Sequence, residues 1–325
     1  MKSALLFLLF FFATTAVFAQ SHRDEFGIQT DNDSYLGNHS DRYYTDGLFF
    51  FYRHALLVKP DSSSLQNKIL GFELGQKIFN PQSGVIPSAI YVDRPFAGYL
   101  YAGSTLNLLY KNESNIKLSA QLGVVGPASL AQNAQQFVHN TFGFYHIVGW
   151  QYQIKNDFEL NLGMEYNKLL ARGSMADVSL ASYANLGTGF TGAGVGPLLR
   201  IGAFNQLFHS QTTQSNVIAT DKVAPLHKHE FFFYYKPQIN WVAYDATIQG
   251  GLFEKHEKYT YEEYSYTNQE VVQVPKPIVF SQQIGLAFTT NRWFFDLSAI
   301  FHSKETKVMA MPHQWGSVTV LYRFH

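Results

Sequence analysis

Apolar and polar residues alternate with a period of two along most of the chain. In residues 116–124, Ile116, Leu118, Ala120, Leu122 and Val124 share one face, and Lys117, Ser119, Gln121 and Gly123 share the other. Phe158, Leu160, Leu162, Met164 and Tyr166 alternate with Glu159, Asn161, Gly163, Glu165 and Asn167. Trp293, Phe295, Leu297, Ala299 and Phe301 form a third apolar set, and Val318, Val320, Tyr322 and Phe324 a fourth. Alternation at 180° per residue predicts strands with one apolar and one polar face. Twelve such segments are predicted, near residues 24–33, 43–58, 66–80, 97–110, 114–125, 157–171, 176–189, 191–204, 228–248, 275–290, 292–305 and 314–325.

A soluble sandwich would alternate too, but these strands approach the roughly 9–11 residues of a tilted membrane strand. Their polar faces carry charges together with Gly and Ser, and the chain closes on an aromatic strand with Tyr322 and Phe324. A closed barrel satisfies every backbone hydrogen bond in lipid. The expected fold is therefore all-β: a single-domain transmembrane antiparallel β-barrel of about 12 strands. Short turns at 112–114, 156–157 and 290–291 contrast with longer connections at 34–42, 81–96, 126–156, 205–227 and 249–274. If the first strand runs outward, the long connections fall mainly on the extracellular side. Within one of them, Ala128 to Asn140 follows Pro127 and precedes Gly143, which predicts a short extracellular helix.

Composition sharpens this picture. Lys2 followed by an apolar run over residues 4–19 reads as a signal peptide covering residues 1–19, leaving 20–325 as the barrel domain. No other stretch is apolar enough for a membrane helix, and mean hydropathy is slightly negative at −0.11. Yet 29 Phe, 20 Tyr and 4 Trp demand a large core or a lipid-facing surface. Absence of cysteine removes thiol chemistry, and 24 basic against 24 acidic residues give no indication of nucleic acid as a partner.

Four polar constellations could carry chemistry. Asp31-Asn32-Asp33 ends the first strand with oxygens suited to a hard cation, or simply makes a turn. Asp41 to Gly47, with Thr45, begins the second strand, and Asp93-Arg94 leads into the fourth. His139 lies on the predicted helix, as a general base or as an ordinary surface histidine. In the predicted topology all four reach the same rim.

At these residues the chain resembles the outer-membrane lipid A 3′-O-deacylases, the LpxR-like family. The resemblance rests on Asn32-Asp33, the run Asp41 to Gly47, Asp93 to Gly98, Gly123 to Pro127, Gln135-Gln136, His139 and Trp150, in family order. It implies a twelve-stranded barrel in the outer membrane, acting as a monomer on lipid A of lipopolysaccharide in the extracellular leaflet. It further implies a Ca²⁺ cofactor, with Asn32 and Asp33 near or on the metal, Thr45 beside them and His139 as general base. Arg94 would contact a substrate phosphate or pair with Asp93. Two features depart from the family: Tyr145 stands where the enterobacterial enzymes carry a glutamate, and no lysine-rich stretch follows Ser83-Gly84. Two other readings are a barrel that lost its activity and serves as a porin or structural protein, and an adhesin using 205–227 and 249–274.

Overall fold

The computed structural model describes residues 22–37, 41–59, 64–219, 223–254 and 269–325; the predicted signal peptide lies outside them. Its twelve antiparallel strands are β1 (Asp24–Asn32), β2 (Tyr43–Ala55), β3 (Leu65–Asn80), β4 (Ala97–Tyr110), β5 (Ser114–Val125), β6 (Asp157–Arg172), β7 (Ala176–Gly187), β8 (Phe190–Ala203), β9 (Glu230–Asp245), β10 (Ile278–Thr289), β11 (Trp293–His302) and β12 (His313–Phe324). Each pairs with its sequence neighbours, and β1 closes the ring on β12, from Asp24 opposite Phe324 to Asn32 opposite Gly316. Closure leaves no unpaired edge.

The direction of the alternation decides between sandwich and membrane barrel. On β6, Phe158, Leu160, Leu162 and Met164 are 65, 47, 52 and 47% exposed, whereas Glu159 and Asn161 are buried. Phe26, Ile28, Leu48, Phe50, Leu118, Leu122, Ile239 and Trp241 point outward in the same way. Apolar out and polar in is the reverse of a soluble core, and suits hydrocarbon as solvent. The interior is crossed by ion pairs such as Arg53–Glu25 at 2.5 Å and Arg200–Asp177 at 2.6 Å. It also holds an aromatic belt including Tyr44, Phe49, Phe51, Tyr99, Tyr101, Phe232 and Phe294. A cavity of about 550 Å³ remains between these layers, lined by Arg53, Lys117, Glu165, Lys236 and Asp296 among others.

Two connections differ from expectation. The β8–β9 connection falls at the rim opposite the other long loops, because it leaves an even-numbered strand. Its residues 205–219 fold back into the barrel as a plug, in which Phe208 and Val217 pack on Ala55, Ile69 and Leu109. Asn67 Nδ2 donates to the Val217 carbonyl at 2.8 Å and Asn107 Nδ2 to that of Thr213 at 2.7 Å. The described parts of 205–227 and 249–274 therefore lie at opposite rims and do not form one adhesive surface; 220–222 and 255–268 lie outside the described residues. The predicted helix is real but shifted. Pro127–Ser129 form a 3₁₀ turn, Leu130 takes a left-handed φ of 59°, and helix α1 spans Ala131–Phe142. Gly143, at φ 71°, ends it as expected.

Helix α1 lies against β3 and β4. Its buried residues, Ala131, Gln135 and His139, recur every four positions and so share one stripe. A Cβ on Gly98 would lie 2.2 Å from that of Ala131, so glycine there permits the close approach. Trp150 Nε1 donates to Gln135 Oε1 at 3.1 Å and locks the helix to the segment that follows it.

Candidate active site

The site forms where β1 ends and β2 begins. Asn32 has extended backbone and caps the 3₁₀ turn Asp33–Leu36, accepting from Ser34 N at 2.7 Å. Its Nδ2 donates to Asp46 Oδ1 at 2.5 Å. Strict alternation would send Asn32 and Asp33 to opposite faces. The switch from strand to 3₁₀ turn removes that conflict.

Asp33 is 2% exposed. Its Oδ2 accepts from the Arg42 amide at 3.2 Å, while among the described residues Oδ1 has no hydrogen-bond partner. Burial pushes its carboxyl up to about 8, and the charges of Asp41 and Asp46 add to the rise. An orphaned carboxylate oxygen among three crowded carboxylates is a hard, anionic donor set, which fits a Ca²⁺-like cation. The Asn32 oxygen, by contrast, accepts from both the amide and the hydroxyl of Ser34. Asn32 is thus placed to orient Asp46.

Thr45 is the extra residue of a β-bulge, where the β2–β3 register shifts between Tyr44 and Asp46. It is fully buried, with Oγ1 at 3.4 Å from both Asp41 Oδ1 and Asp46 Oδ2. The backbone before it is strained: Asp41 and Tyr43 have φ of 41° and 63°. A bulky residue in that region costs of order 1–3 kcal/mol and persists only when its surroundings hold it. Here Tyr43 is held by its hydroxyl, which donates to Asp93 Oδ2 at 2.8 Å, and Asp41 by Asn80 Nδ2 on its carbonyl at 3.1 Å.

His139 reaches this cluster from α1. Its Nδ1 lies 2.8 Å from the Tyr145 carbonyl, which can only accept, so Nδ1 carries the proton. Nε2 is then free to take one, and faces Asp41 Oδ2 at 3.4 Å. The Tyr145 hydroxyl donates to the same Asp41 oxygen. Burial and the Asp41 charge hold the Tyr145 phenol well above its ordinary value, so it stays a neutral donor. Tyr145 therefore does not replace the family glutamate as a carboxylate; Asp41 brings the carboxylate to His139 instead.

The geometry gathers Asn32, Asp33, Thr45 and His139, and adds Asp41, Asp46 and Tyr145. Asp41 and Asp46 belong to a run the sequence reading singled out, but only the fold gives them partners. Arg94 is not part of the cluster. It is 1% exposed, donates from Nε to Glu305 Oε2 at 2.9 Å and from Nη2 to Thr247 Oγ1 at 3.1 Å, and lies 4.0 Å over the Phe79 ring. Asp93 takes Tyr43, Gln82 N and Ala310 N instead of Arg94. Pro95 favours extended backbone at Arg94, which sends the two neighbouring side chains apart.

The profile of the family described as "Outer membrane protein LpxR" matches residues 5–324. The chain belongs to the LpxR family. Among solved structures it is similar to LpxR from Salmonella typhimurium, with a TM-score of 0.73 and 20% identity over 92% of this chain and 100% of that one. That likeness establishes a shared fold, the closed β-barrel, and membership of the family makes the chain an integral outer-membrane protein. A KdgM porin (TM-score 0.40, 7% identity, 93% of this chain and 99% of that one) and the β-domain of the Bordetella autotransporter BrkA (0.46, 7%, 94% and 100%) are more distant. Comparison with curated proteins gives no match.

Proposed function

We propose that this LpxR-family barrel is a Ca²⁺-dependent lipid A 3′-O-deacylase, hydrolysing the 3′-linked acyl ester in the outer leaflet. The observation that carries the reading is the His139–Asp41 pair beside the buried, half-unpartnered Asp33 carboxylate. His139 Nε2 takes a proton from water, and the Asp41 carboxylate stabilises the imidazolium that results. Tyr145 fixes Asp41 for that role. Asp33 and Asp46 would hold the cation, with Asn32 and Thr45 orienting Asp46. When bound, Ca²⁺ supplies a Lewis acid for the developing oxyanion.

The surface around the site supports a lipid substrate. Phe137, Phe142 and Phe144 are 70, 69 and 59% exposed on and just after α1, at the rim that carries the site. Apolar rings left in the open at a barrel mouth suit acyl chains and leaflet. The plug at the opposite rim speaks against a simple pore.

Purified protein incubated with lipid A, with and without a calcium chelator and followed by mass spectrometry, tests the proposal. Loss of one 3′-linked acyl group is expected only with calcium present. A His139→Ala protein that still deacylates fully would sink the mechanism.

A further inference from the structure

A second constellation lies inside the same barrel end. His302 and His313 are directly opposed, as the last pair of the β11–β12 ladder. Opposed residues of an antiparallel pair point to the same face, with Cβ atoms roughly 4.5–5.5 Å apart. Glu305 folds back from the connecting loop. Its Oε1 lies 3.3 Å from His302 Nδ1 and 3.8 Å from His313 Nε2. One ligand atom from each of the three residues lies within 4.8 Å of the others.

Two independent features separate this cluster from ordinary packing. His313 has a side chain only 1% exposed, yet among the described residues neither of its ring nitrogens has a hydrogen-bond partner. Buried imidazoles normally find one, because an unmatched polar atom away from water is costly. Moreover, the Glu305 carboxylate is oriented from behind. Arg94 Nε holds Oε2 at 2.9 Å, Thr247 Oγ1 receives Arg94 Nη2, and Asp245 Oδ1 accepts from Thr247. That chain leaves Oε1 aimed at the two histidines and places a second carboxylate, Asp245, close enough to offset the Arg94 charge. A cavity of about 330 Å³ opens beside His302 and Glu305, with room for water or a small ligand.

We propose that His302, Glu305 and His313 form a transition-metal site, of the kind that takes Zn²⁺ or Co²⁺, distinct from the Asp33 site. Two imidazole nitrogens and one carboxylate oxygen are a borderline donor set that favours such ions over Ca²⁺, which seeks six or more oxygens. Water from the cavity completes the coordination. Arg94 is the positioning residue for Glu305, which accounts for its burial at a distance from the His139 cluster.

The test uses the untagged full-length barrel in detergent, stripped of metal and kept in excess Ca²⁺. Titration with Co²⁺ is expected to give one equivalent and a visible absorption band of low-coordinate nitrogen ligation, displaced by Zn²⁺. His302→Gln and His313→Gln should each weaken binding by more than the roughly 10–100-fold typical of outer-shell changes. Asp33→Asn should leave it unchanged, and the heat-dependent gel shift of a folded barrel should persist in all three variants. Absence of a stoichiometric Co²⁺ complex overturns the proposal. So does a complex that survives the double substitution in a folded barrel, or one that Asp33→Asn removes.

Discussion

At the residue scale, the site depends on a carboxylate whose sequence context resembles a loop boundary. Asp41 joins His139, Tyr145 and Thr45, and its replacement by Asn keeps the shape but removes the charge that faces Nε2. Asp41→Asn is expected to lower kcat by the roughly 10²–10⁴-fold attributed to general-base catalysis while leaving KM nearly unchanged. An unaltered rate of acyl release would show that His139 works without it. Asp33 makes a prediction about pH. Its carboxyl lies at about 8 when folded against 3.8 ordinarily, so the folded chain binds this proton more tightly than the unfolded one. Without metal, the stability that proton confers is complete below about pH 4 and is lost as pH rises toward about 8. A cation must displace the same proton. Ca²⁺ affinity therefore rises across that window, and binding at about pH 6.5 releases close to one proton per ion. Calorimetry in buffers of different ionisation enthalpy measures that release, and its absence would contradict the role given to Asp33.

At the scale of elements, three local devices build the site: the turn after Asn32, the bulge at Thr45 and the seat of α1 on β4. The seat is the most easily tested. Gly98→Leu forces a side chain into the Ser129 and Ala131 contact, where overpacking costs typically about 1–3 kcal/mol. The barrel should still form, because the strand pairing is untouched, but deacylation should fall with the displaced His139. Wild-type activity in Gly98→Leu would mean that α1 need not lie against the wall. The exposed side of the same helix makes a separate prediction. Phe137→Asp with Phe142→Asp should slow turnover of lipid A in bilayers and spare hydrolysis of a short-chain soluble ester. Equal losses on both substrates would assign these rings to the fold instead of the leaflet.

At the scale of the whole molecule, the barrel is closed twice, once around its circumference and once across its bore. The second closure is the β8–β9 plug, held by Arg200 on Ser210 and Asp177, and by Glu230 on Asn205 N and Ser210. Residues Gln211, Thr212 and Gln214 of the plug face the central cavity. Replacing 207–215 with a short Gly-Ser linker should convert a non-conducting barrel into one with a steady ion current in planar bilayers. Conductance in the intact protein equal to that of the variant would restore the porin reading.

Much of this was legible in the sequence because it depends on period and parity alone. Alternation fixed the number of strands, their approximate limits and the rim to which Asn32, Asp33, Thr45, Arg94 and His139 come. Those are properties of a backbone with two faces and of a chain that reverses at every turn. What tertiary structure decided depends on contacts between residues far apart in the chain. Asp41 meets His139, far along the chain, only because α1 settles on Gly98. Arg94 turns away from Asp93 to Glu305 because the lumen offers a buried carboxylate there. Residues 205–219 become a plug because polar side chains on β3, β4 and β8 capture their backbone and hydroxyl groups from inside the barrel. Periodicity shows which face a residue takes; it does not show which partner waits on that face.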